Sequence, residues 1–275
     1  MLLETTSLSV TFGGLQALAD LDLTVGEGQI VGLIGPNGAG KTTFIDAVTG
    51  FVPSGGGVTF RGRPIEGAPA HRRQRLGLGR TWQSLELFDD LTVRDNLRVA
   101  AERQSARGFL LDLVHPGRGR DEAGVDFALD VLDLAGLADR LPTEISQGQR
   151  KLVGAARALA ARPRLICMDE PAAGLDTTES HELADDVRRI RDAGITILMV
   201  EHDMGLVLGV CDYLYCIEFG VKIAEGTPAE IVSDARVVAA YLGAAGRDRV
   251  DVGGLDVGGP EIGGLDVGGN GAGDG

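Results

Sequence analysis

The sequence predicts an α/β fold built on a mostly parallel sheet, and three observations carry that expectation. Residues 29–34, 165–168 and 195–200 are short, almost wholly apolar runs. Such runs belong to strands covered on both faces. Segments with apolar residues at helical spacing separate them, notably 149–161 and 177–191, and strands alternating with helices build parallel sheets. Finally, a glycine-rich turn follows the first run at once and leads into a helix at 42–49 that stops at Gly50. That is a strand, loop and helix in immediate succession.

The 275 residues suffice for one large domain or two small ones, with a core that needs no disulfide. Aromatics make up only 4% of the chain, so the core must be aliphatic. A net charge of −14 argues against a general nucleic-acid binder, which needs a basic face. Six arginines against one glutamate between 61 and 80 have no interleaved aromatics and read as a solvated helix face. Cys167, Cys211 and Cys216 cannot all pair and form no C-x-x-C, so they read as small buried hydrophobes in a reducing compartment. The sequence has no 18-residue apolar run, and its first residues lack the basic start of a signal peptide. The expected location is cytoplasmic.

In chain order, residues 8–10 and 21–25 alternate apolar and polar, as strands with one wet face do. Residues 58–60 form a short strand after a run of three glycines. A helix at 69–76 has proline near its start and Gly77 at its end. Another spans 92–102, capped by Thr92 or its predecessor. Residues 104–121 are an irregular Arg- and Gly-rich insert, followed by a helix at 122–135. A hairpin-like pair at 212–217 and 221–224 precedes a short helix at 228–232. The final stretch, 244–275, repeats Gly-Gly-Leu-Asp-Val-Gly-Gly at 253–259 and 263–269. It has too little apolar surface to offset backbone entropy and reads as a disordered tail.

The chemistry centres on Gly35-Pro36-Asn37-Gly38-Ala39-Gly40-Lys41-Thr42, which fits G-x-x-x-x-G-K-[ST]. Glycines let consecutive backbone N–H groups turn toward one phosphate, and the following helix adds its positive end. Lys41 suits the β- and γ-phosphates, Thr42 a Mg²⁺ ion, and Thr43 the α-phosphate. This defines a P-loop NTPase. Such a site needs an acid on a neighbouring strand, and the run at 165–168 leads to Asp169 and Glu170. Asp169 suits the Mg²⁺ shell and Glu170 the activation of attacking water. Ser146 is placed to cap the helix at 149–161; a helix start with Ser and Gly is also an anion site, but taken alone this one reads as an ordinary capped helix. His202 leaves the strand at 195–200 and is a candidate for the γ-phosphate.

These motifs in this order resemble the ATP-binding subunits of ABC transporters, over about residues 4–242. The resemblance implies a RecA-like P-loop core with an antiparallel β subdomain and an inserted α-helical subdomain at about 84–162, all within 1–243. It implies Phe12 stacked on adenine and Gln83 touching Mg²⁺ and water. It implies that Ser146, Gly148 and Gln149 reach the γ-phosphate of ATP held by a second such subunit, homo- or heteromeric. Residues 173–176 would line the dimer seam, and His202 would be the switch histidine. Ile145 and Gln147 replace the Leu and first Gly of the usual signature, and Phe12 replaces a Tyr. The stretches 11–18 and 80–97 look like the branched-chain amino acid importers; urea and amide importers and lipopolysaccharide-export ATPases are similar. Such an ATPase works on the inner face of the membrane with transmembrane permease subunits and, indirectly, an external binding protein. A soluble ABC ATPase of DNA repair or translation is the rival, but those usually carry coiled-coil inserts or two nucleotide domains, and this chain has neither.

Overall fold

The computed structural model describes residues 1–81, 87–101 and 122–245. The chain opens with a long hairpin of β1 (Leu3–Phe12) and β2 (Leu15–Val25). Both strands are much longer than the alternation at 8–10 and 21–25 indicates. Register shifts between Thr5 and Leu8 and again between Leu8 and Val10 break the period of two, and Ser7 and Asp20 take positive φ. A bulge of this kind hides a strand from periodicity.

The next strand, β3 (Ile30–Ile34), ends at the glycine-rich turn, and α1 (Lys41–Thr49) follows, stopped by Gly50 in the left-handed conformation. β4 (Gly55–Phe60) and β5 (Arg63–Pro64) complete an antiparallel sheet of order β2-β1-β4-β5. α2 (Ala70–Arg75) precedes β6 (Leu78–Arg80), a three-residue strand too short and glycine-rich to be read from pattern. The arginines here are not all solvated, contrary to expectation. Arg73 is buried and donates to the carbonyls of Ala47 and Val48, closing the C-terminal end of α1.

α3 (Val93–Ala101), α4 (Glu122–Val131) and α5 (Gln147–Ala160) pack on one another. Thr92 caps α3 by accepting from the Asp95 N–H at 3.1 Å. The helix expected to continue to 135 ends at Val131, because the chain turns through Asp133 at φ 52°. The remaining strands and α-helices are β7 (Leu165–Asp169), α6 (Thr177–Asp192), β8 (Thr196–Val200), α7 (Met204–Val210), β9 (Tyr213–Glu218), β10 (Val221–Gly226), α8 (Pro228–Ser233) and α9 (Ala235–Ala245). Phe219 and Gly220, both with positive φ, make the two-residue turn of the β9–β10 hairpin. α7 and α9 are helices that the sequence reading does not include. The insert at 104–121 and the Gly/Asp-rich segment from 246 lie outside the described residues.

The central sheet has order β10-β9-β3-β8-β7-β6, parallel except for β10. β3, β7 and β8 are buried at every position. Their unbroken apolar character follows from alternation between two cores. Ile30, Ile166 and Ile197 face the helical side with Leu97, Leu129 and Val153. Val31, Cys167 and Leu198 face α1 and the antiparallel sheet with Phe44, Phe60 and Leu8. All three cysteines are buried and free, and burial pushes each thiol up to about 12.

Asp186 on α6 is buried beside Arg189 at 3.0 Å. Burial, opposed by Arg189, pushes its carboxyl up to about 6. A folded value above the unfolded one favours the fold at low pH, and that contribution fades as pH rises from about 4 to about 6. Asp186→Asn removes this dependence. The melting temperature of the variant minus that of the wild type should therefore be more positive at about pH 7.5 than at about pH 4.5; a flat difference would contradict it.

Candidate functional site

The carboxyl ends of β3 and β7 lie one strand apart in the sheet, with β8 between them. Polar residues that follow these buried strands therefore converge at one edge. The turn after β3 is shaped by glycine. Gly38 has φ 79° and Gly40 φ 104°. A Cβ at Gly40 would stand 2.8 Å from the carbonyl oxygen of Ala17 on β2, and one at Gly35 would stand 2.1 Å from that of Ile217. The loop is thus wedged between the β1–β2 hairpin and β9. At Gly38 no atom lies within 4 Å of the Cβ position, so the backbone conformation alone calls for glycine.

Lys41 is buried and its Nζ donates to the carbonyls of Gly35 at 2.7 Å and Pro36 at 3.1 Å. Burial lowers its pKa, opposed by the carboxylates of Glu170, Asp169 and Glu201. Thr42 donates its hydroxyl to Asp169 Oδ1 at 3.3 Å. Asp169 is buried too, and burial raises its carboxyl while Arg80 pulls it down. Lys41, Thr42, Asp169 and Glu170 are therefore brought together from two strand ends. Thr43, the next residue of α1, is half-buried.

Arg80, one of the six arginines expected on a solvated helix face, is instead a largely buried side chain of this site. Its guanidinium, at the end of β6, bridges Asp169 Oδ2 at 3.3 Å and the Asp46 carboxylate on α1. The pairing of β6 with β7 puts it there. Gln83 lies outside the described residues. Glu170 holds φ 47°, and its N–H donates to Val200 O at 2.8 Å. This outlier at a strand end is the kind of local strain found at functional positions.

Ser146 caps α5 in a reciprocal box. Its Oγ accepts from Gln149 N at 3.2 Å, and Gln149 Oε1 accepts from Ser146 N at 2.9 Å. The helix begins two residues before the expected start. Gly148 faces α6, where a Cβ would lie 3.4 Å from Glu179 Oε1. Lys151 of α5 donates to the Ala173 carbonyl, tying this helix to the segment after Glu170. Phe12 is exposed at the end of β1. His202 is exposed beyond β8, its Nδ1 3.8 Å from Glu201 Oε2.

Glu201 is a residue that the sequence left silent. It is fully buried and accepts from the N–H groups of Ala172 at 2.6 Å, His202 at 3.1 Å and Asp203 at 3.5 Å. One carboxylate thus fastens the segment after Glu170 to the segment carrying His202. Burial raises its pKa, and the three backbone donors oppose the rise.

This fold and this constellation define an ATP-binding cassette, and comparison with known proteins agrees. The family described as ABC transporter matches residues 18–173. The chain belongs to the ABC transporter family, as an ATPase of its ATP-binding type. A second family, described as branched-chain amino acid ATP-binding cassette transporter, matches residues 221–247. The chain is 39% identical over 251 residues to the high-affinity branched-chain amino acid transport ATP-binding protein BraF of Pseudomonas aeruginosa, covering 89% of this chain and 98% of that protein. It is 40% identical over 252 residues to LivG, of the same description, from Salmonella typhimurium strain LT2, with the same coverage. The solved ADP conformation of MJ1267, an ATP-binding cassette of an ABC transporter, superposes with a TM-score of 0.76 at 34% identity, covering 88% of this chain and 98% of that one.

Glu201→Leu would leave buried N–H groups of two loops without their acceptor. Stability measured by denaturant unfolding should fall by about 1–3 kcal/mol. An unchanged midpoint would show that these bonds carry no weight.

Proposed function

We propose that this ATPase drives a membrane importer of branched-chain amino acids. The observation that carries the cargo class is the match of residues 221–247 to the branched-chain family, on a chain already similar to BraF and LivG over nearly its whole length. Transmembrane permease subunits would provide the path, a second ATPase subunit would complete the dimer, and an external binding protein would deliver the cargo.

The residues fit an ATP with Mg²⁺. Thr42 Oγ1 and Asp169 Oδ1 stand 3.3 Å apart as hard oxygen donors, the set a Mg²⁺ ion takes together with phosphate oxygens and water. When bound, the ion would neutralise charge on the phosphates. Gln83 would join this set. The backbone N–H groups of Asn37, Gly38, Ala39 and Gly40 would wrap the β- and γ-phosphates, Gly35 and Pro36 would form the entry of that loop, and Thr43 would reach the α-phosphate. Lys41 would exchange its two carbonyl partners for phosphate oxygens, a charge-assisted bond in a buried setting. Glu170 would accept the proton of the attacking water, and His202 would orient toward the γ-phosphate. Phe12 offers an exposed ring for adenine. Ser146, Gly148 and Gln149 would meet the nucleotide of the opposite subunit. In this reading the protein works at the inner face of the membrane.

Glu170→Gln should lower ATP hydrolysis by at least about 10²-fold while ATP binding persists and an ATP-dependent dimer accumulates. A variant that turned over at the normal rate would remove Glu170 from its role. The cargo is tested separately, in proteoliposomes holding the ATPase with its permeases. Binding protein loaded with leucine should stimulate hydrolysis, and binding protein offered urea should not. The reverse ranking would reassign the cargo.

A further inference from the structure

We infer that the C-terminal segment braces the phosphate loop, with Tyr241 as a positioning residue for nucleotide binding. The N–H of Gly35, the first amide of the loop, donates to the hydroxyl of Tyr241 on α9 at 2.9 Å, across 206 residues of sequence. Ile217 on β9 closes on the same glycine, since a Cβ there would sit 2.1 Å from its carbonyl oxygen. The far end of the loop is held from the same part of the chain. Gly220, in the β9–β10 turn, donates its N–H to Ala39 O at 2.9 Å and accepts from Ala19 N at 2.9 Å. Residues 217–241 therefore grip both the entry and the exit of the loop, which leans on β2 through Gly40 and Ala17.

The phenol suits this place. It is part-buried beside β9, and burial together with nearby Cys216 keeps it protonated well above neutral pH. An uncharged oxygen can accept from Gly35 without setting a negative charge next to bound phosphate. Loss of the hydroxyl would leave the Gly35 N–H unpaired and the loop entry less ordered. Preorganised donors bind a ligand better than donors that must be ordered on arrival. Asp169 ends β7 and Glu170 follows it, and β3 and β8 separate that strand from β9 in the sheet, so the chemical step should be spared.

The inference rests on the chain's ATPase activity, and wild-type hydrolysis in the same assay keeps the two failures apart. Tyr241→Phe keeps the ring and removes the acceptor. In the full-length protein, KM for ATP and Kd for ADP should both rise about three- to tenfold, with kcat within about twofold. A role confined to stability would instead lower the melting temperature with KM unchanged, and that result overturns the brace. Should the variant fail to fold, hydrogen exchange of the wild type decides. Binding is reciprocal, so a non-hydrolysable ATP analogue should slow amide exchange in α9. Exchange in α9 indifferent to the nucleotide overturns the inference.

Discussion

A buried ammonium and a buried carboxylate, Lys41 and Asp169, share one strand edge, and the structure around them makes that tolerable. Each alone would be costly to take out of water. Two backbone carbonyls of the phosphate loop receive the Lys41 ammonium, and Thr42 and Arg80 hold the Asp169 carboxylate. Arg80 is balanced in turn by Asp46 on α1. This chain of charges joins β6, β7, β3 and α1, so the parallel register and the site depend on each other. Apolar cores on both faces of the sheet limit its screening by water.

Where function is contiguous in sequence, the residues are legible. The loop from Gly35 to Thr42 is one unbroken pattern, and a single apolar run delivers Asp169 and Glu170 to its end. The parallel sheet is legible for the same reason, since each of β3, β7 and β8 feeds two cores and so has no polar face. Glu201, Arg80 and Tyr241 are a different case. Each acts on a partner distant in sequence or on backbone groups that any residue carries. No spacing announces a carboxylate that gathers amides from two loops, or a phenol 206 residues from its donor.

The β1–β2 hairpin shows a further limit. Its bulges shift the side chains between faces, so a ten-residue strand presents only a short alternating core to a reader of pattern. Arg73 shows another, because an arginine run looks solvated until one member turns inward to close a helix end. Both are tertiary decisions that override local composition.

Glu170 leaves one more thing to draw out. A glutamate held at φ 47° occupies backbone territory that glycine or asparagine fills with less strain. The chain keeps an acid there at a local conformational cost of about 1 kcal/mol or more. Selection for thermal robustness and selection for turnover therefore pull this position in opposite directions. A search for stabilising substitutions would be drawn to the very residue on which the proposed chemistry turns.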